Sequence, residues 1–129
     1  MTTPFVFIEN PTTFRDAAAL IIRIPRGIRS KRKLFAIFAD KLRFPSYFGW
    51  NWDAFDECLR DLSWLSQSQG IVIVHESLPF GSGGKNRGIY LDLLESVLDH
   101  WSAKHGPKVT AVMPGSLRDS LTPAANAPR

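Results

Sequence analysis

An α/β fold built on a three-stranded parallel sheet with helical crossovers is what this sequence predicts, and three observations lead there. Short apolar, β-branched runs at Ala19–Ile24, Gly70–His75 and Lys108–Met113 read as strands, the second with the continuous hydrophobicity of a buried one. Between them lie stretches whose apolar residues recur at helical spacing. Pro25-Arg26-Gly27 and Gly106-Pro107 punctuate the joins. Strands linked through helices run parallel, because a parallel pair needs a long crossover.

Residues 1–18 stand outside that pattern. Phe5-Val6-Phe7-Ile8 is apolar, Asn10-Pro11 breaks it and Phe14 follows, which reads as an added edge strand or an arm packed on the domain. Ala19–Ile24 is the first core strand. Ser30 is placed to cap a helix running to about Leu42, with Leu34, Ile37, Phe38 and Leu42 on its apolar side. Lys31-Arg32-Lys33 would put three cations in the first turn, where the helix dipole disfavours each by about 0.3–1 kcal/mol. The favoured reading is therefore a later helix start or a cost that solvent makes trivial; the sharper one is an anion site.

The stretch Phe44–Leu62 is the most informative in the chain. It holds six aromatic rings and four carboxylates, although the chain as a whole carries a net charge of +4. Pro45 drives Phe44 away from helical geometry and Gly49 permits a turn, so residues 44–51 read as an aromatic loop. Asn51 is a favoured N-cap, and Asp53 then sits where the dipole welcomes an anion. Phe55, Cys58, Leu59 and Leu62 form the buried stripe, which turns Asp53, Asp56, Glu57 and Arg60 outward with Asp61 at the edge. Charged helix faces are often only solvated, and Asp56 and Glu57 can pair with Arg60 for a few tenths of a kcal/mol. The adjoining rings of Tyr47, Phe48 and Trp50 favour an interface instead, with rigid anchors beside orienting charges.

Pro45, Tyr47, Phe48, Gly49, Asn51, Asp53, Ala54, Cys58 and Leu59, in that order and spacing, resemble the signature of the barstar family of ribonuclease inhibitors. The resemblance covers about Ala19–Met113 and implies a barstar-like fold. It also implies that the loop and helix enter the active site of a guanyl-specific ribonuclease, where acidic side chains replace RNA phosphates. Tyr47 matches the family's loop tyrosine, Asp53 its first helix aspartate and Glu57 its second acid, one methylene longer than the aspartate expected. Asp56 stands where the family's namesake has a tryptophan that packs on the enzyme. A further family acid on the last helix falls near Asp99 or His100.

Past the central helix, Gly70–His75 is the strongest strand signal and belongs at the centre of a covered sheet. The loop Ser77–Gly88 is glycine-rich but fails the phosphate-loop spacing, with Pro79 and Asn86 where such patterns need glycine or a hydroxyl. It reads as a mobile surface loop. Ile89–His105 is a long helix with Leu91, Leu94, Val97, Leu98 and Trp101 on one face, and Lys108–Met113 closes the sheet. The expected organisation is an extension over 1–18, a domain over 19–113 and a disordered tail over 114–129.

These features exclude several function classes. Runs such as Ala17–Ile22 are too short to cross a bilayer and the N-terminus has no secretory pattern, which points to a cytosolic protein without a membrane partner. Cys58 is the only cysteine, so no internal disulfide forms. His75, His100 and His105 make no convergent catalytic set and no metal spacing, so neither an enzyme nor a cofactor is expected. The partner-binding candidates are Tyr47, Trp50, Asn51, Asp53, Asp56 and Glu57, and the expected partner is a basic ribonuclease or ribonuclease-like toxin. Residues 1–43 carry nine Lys/Arg against three acids, 44–101 three against eight, and 102–129 four against one. The basic ends leave a nucleic-acid-associated module as a less favoured alternative, beside a barstar-fold module with a non-ribonuclease partner.

Overall fold

The computed structural model describes residues 4–65, 69–104 and 106–121. Its order is β1 (Phe5–Ile8), β2 (Ala19–Ile24), α1 (Lys31–Leu42), α2 (Trp52–Asp61), β3 (Gly70–His75), α3 (Asn86–Ser102), β4 (Val109–Pro114) and a short α4 (Arg118–Leu121). The sheet has four strands in the order β1-β4-β3-β2, all parallel. The predicted three strands are present, and the correction is a fourth: Phe5–Ile8 pairs with β4, Phe5 opposite Ala111 and Ile8 opposite Pro114. Four residues with a proline just beyond gave a weak strand signal by themselves; pairing with β4 supplies the missing hydrogen bonds.

The helices cover one face of the sheet. The main core gathers Ile22, Ile24, Ile71, Ile73, Ala111 and Met113 from the strands against Leu34, Phe35, Phe38, Phe55, Leu94 and Val97 from the helices. The alternate strand residues Val72, Val74 and Val112 form a smaller cluster on the opposite face, capped by Ile8, Phe14, Ala19 and Ile21. The link between β1 and β2 therefore lies across that second face. Arg23 fastens it, donating to the carbonyls of Phe14 and Pro11. The N-terminal segment is thus both edge strand and packed arm.

Helix ends follow local chemistry. The Ser30 hydroxyl accepts from the Lys33 amide at 3.2 Å, so α1 starts at Lys31 and its first turn does contain Lys31, Arg32 and Lys33. The later start favoured by dipole energetics is not what the chain adopts; the cap outweighs a screened charge penalty. α1 and α2 each end on a left-handed residue, Arg43 (φ 53°) and Leu62 (φ 52°). α3 begins at Asn86, three residues before the sequence suggested, which shortens the preceding loop. Pro114 still pairs in β4, and Gly115–Leu117 and Arg118–Leu121 make helical turns. Residues 122–129 of the expected tail lie outside the described residues. Among the described residues no helix is long and apolar enough to cross a membrane.

Candidate binding face of the second helix

The aromatic loop climbs back along α1. Phe44 donates its amide to Ala39 at 3.0 Å, and Phe48 closes a turn onto the Pro45 carbonyl at 3.0 Å. Phe48 is buried, edge-on to Phe35 at 5.7 Å and Phe44 at 4.9 Å. Its insertion leaves Tyr47 at the tip of the turn, 72% exposed. The unusual backbone is at Trp50 (φ 57°), not at Gly49, which corrects the turn expected from glycine. A Cβ at Gly49 would only reach ordinary contact with Asn51 at 3.4 Å. Left-handed geometry in a bulky residue costs about 1 kcal/mol or more. Trp50 is held there by tilted stacking on Phe48 (5.1 Å) and by the Arg32 guanidinium 4.7 Å over its ring, with 41% of its surface still exposed.

Asn51 caps α2. Its side-chain oxygen accepts from the Ala54 amide at 2.8 Å and its Nδ2 donates to the Gly49 carbonyl at 3.4 Å. Both polar atoms are therefore engaged within the chain. Trp52 turns inward, against Phe35 at 5.2 Å and Phe80 at 6.0 Å, with its indole N–H toward Asn86 at 3.4 Å. Asp53 in the first turn and Glu57 one turn later are exposed on one side of α2, and neither enters an ion pair among the described residues.

Asp56 differs. Its Oδ1 accepts from Arg60 Nε at 2.8 Å, with both side chains about one third exposed. Arg60 also donates to the Ser96 hydroxyl of α3. Such a half-exposed pair contributes only about 0.3–0.5 kcal/mol, but it ties Asp56 to a cation of its own chain. The α2 carboxylates thus divide into three exposed and outside any ion pair among the described residues, Asp53 and Glu57 with Asp61 at the edge, and one neutralised, Asp56.

The thiol and imidazole groups of the domain sit in structural roles. Cys58 is buried; burial, then the Asp61 and Glu57 carboxylates, push its thiol pKa up, away from a reactive thiolate. His75 is fully buried between the Val112 carbonyl (3.0 Å from Nδ1) and the Tyr90 hydroxyl (2.6 Å from Nε2). A carbonyl only accepts, so Nδ1 carries the proton and Tyr90 donates to Nε2. Burial lowers the His75 pKa to about 4 and raises that of Tyr90 well above its usual value. On α3, Asp99 is exposed and His100 half-buried, edge-on to Trp101 at 4.9 Å; His105 lies outside the described residues. Among the described residues, no three His, Cys, Asp or Glu side chains group as metal ligands.

Sequence reasoning missed the clamp of Arg32 over Trp50. The first-turn cations were legible, but nothing in their spacing shows that the loop returns to α1's start.

With this geometry in place, comparison with known proteins gives one result. A family model described as Barstar (barnase inhibitor) matches residues 20–113. Searches of curated proteins and of solved structures return no match.

Proposed function

Because this chain belongs to the barstar family, we propose that it is an intracellular inhibitor of a basic ribonuclease or ribonuclease-like toxin, an immunity protein that covers the active site with the outer face of α2 and the aromatic loop. The observation that carries the reading is the presence of two exposed, unneutralised carboxylates one turn apart, Asp53 and Glu57, with Tyr47 72% exposed in the loop that leads into the same helix. A site that cleaves RNA must offer Arg, Lys and His to a phosphate, and carboxylates meet those cations through charge-assisted hydrogen bonds. Tyr47 and Trp50 supply stacking or apolar contact, while Asn51 positions the first turn. Inhibition is by occlusion and involves no covalent step.

Replacing Asp53 and Glu57 together with alanine and titrating a cognate ribonuclease tests it. Inhibition should weaken by at least about a hundredfold, since a hydrogen bond to a charged group contributes about 1.5–3 kcal/mol. Undiminished inhibition removes these acids from the mechanism. The engagement of Asp56 by Arg60 favours a second reading, in which the same face meets a protein that is not a ribonuclease. Binding that depends on Asp53 and Glu57 without any loss of nuclease activity would select it.

A further inference from the structure

The carboxyl ends of β2, β3 and β4 open onto two adjoining clefts that the binding face does not use. One, of about 160 Å³, is lined by Arg26, Glu76 and Ser116. The other, of about 210 Å³, is lined by Ile28, Arg29 and Phe80. Ser77, Leu78 and Arg87 line both. Open α/β sheets take ligands at this edge.

The charge there is unbalanced. Across the two clefts there are three guanidinium groups and one carboxylate: Arg26 and Glu76 line the first, Arg29 the second and Arg87 both, and no ion pair among the described residues neutralises any of the three cations. Arg26 and Arg29 are exposed. Arg87 is half-buried and fixed, with Nε donating to the Pro79 carbonyl at 3.3 Å and Nη2 to the Phe80 carbonyl at 2.6 Å. Both acceptors are neutral, so the fork is oriented without its charge being offset.

The backbone at this point is also strained. Phe80 adopts φ 66°, held by its amide on the Ile28 carbonyl at 2.7 Å and by Arg87 on its own carbonyl. Left-handed conformations in bulky residues cost of order 1–3 kcal/mol and collect at ligand clamps.

We infer that this edge binds a phosphate monoester, its phosphate held by Arg26, Arg29 and Arg87 and its organic part lying against Ile28 and Leu78. A phosphate monoester carries a charge of about −1.5 to −2 near neutral pH, which matches the surplus of two positive groups; a monocarboxylate would leave half of it. Guanidinium forks bind phosphate oxygens two at a time, which suits Arg26 and Arg29, while Arg87, with Nε and Nη2 donating to carbonyls, turns Nη1 to the ligand. The Ser77 and Ser116 hydroxyls supply further donors at the rim.

The test is an amide-shift NMR titration of the full chain with inorganic phosphate, adenosine 5′-monophosphate and, as a carboxylate control, acetate. Saturable shifts at Gly27, Ile28, Ser77, Leu78 and Gly81 are expected for the phosphates and not for acetate. Tighter binding of the ester than of inorganic phosphate is expected from the apolar wall, and equal binding would overturn the monoester assignment in favour of free phosphate. Arg26→Gln and Arg29→Gln should each weaken binding about tenfold. Glu76→Gln should tighten it, an effect that damage to the fold would not produce. Absent saturation, equal binding of acetate, or shifts confined to Lys31–Lys33 would each overturn the inference.

Discussion

His75 is a neutral side chain sealed inside a charged molecule, and that has a measurable consequence. Its folded pKa of about 4 lies below the unfolded value near 6.5. Between those limits the unfolded chain takes up a proton that the folded chain refuses, so stability is complete above about pH 6.5 and drains away as the pH falls toward 4. The loss is about 3 kcal/mol, read as a falling unfolding free energy in urea titrations across that range. The double variant His75→Leu/Tyr90→Phe removes both partners and should flatten this part of the profile. His75→Leu alone leaves the Tyr90 hydroxyl buried without an acceptor and should cost about 1–3 kcal/mol at neutral pH. At this scale the sequence is informative about residue type and less so about pairing. It places Asp53 and Glu57 on the outward side of their helix, and it offers Asp56–Arg60 as the ordinary explanation of the charges. It does not show which of Asp56 and Glu57 takes the arginine, because both stand within helical reach of it.

The second helix depends on its N-cap, Asn51, as well as on its stripe of apolar side chains. Asn51→Ala should lower stability by about 1 kcal/mol, and Asn51→Ser should restore most of it in the same denaturation assay. If Asn51 acts on a partner only by fixing the first turn, the serine variant will also recover binding. The core strands were legible almost to the residue, since Ala19–Ile24 is apolar but for Arg23, Ile71–Val74 is an unbroken apolar run, and the last strand is displaced by only one residue, to Val109–Pro114. α3 was misjudged at its start because Gly88 lies in its first turn and Lys85 offers no side-chain cap. Arg87 compensates by holding the Pro79 and Phe80 carbonyls, a tertiary bond that no local pattern reveals. The cleft beside it was illegible for the same reason: Arg26 and Arg29 follow β2, Arg87 stands in the first turn of α3, and only the folded chain brings the two segments to one edge of the sheet.

Across the whole molecule the sheet is covered unequally, by three long helices on one face and by a single extended segment on the other. Deleting residues 1–18 would strip Val72, Val74 and Val112 of that cover and leave β4 as an open edge. The expected result is a loss of about 3 kcal/mol or more, together with self-association visible by light scattering, since bare apolar edges pair with other chains. A truncated chain that stayed monomeric and equally stable would show the segment to be dispensable. The distribution of charge also belongs to this scale. Cations gather around the start of α1 and the carboxyl edge of the sheet, while the acids of α2 and α3 lie along the helices.

The pairing of Phe5 with Ala111 has a consequence for biosynthesis. The strand that leaves the ribosome first has no neighbour until the last of the four has been translated. Through most of that interval Phe5–Ile8 is an unsheltered hydrophobic thread, and the sheet closes only when nearly all of the described polypeptide has been made. Stalled or prematurely terminated products lacking Val109–Pro114 are therefore the species that chaperones and proteases would be left to handle.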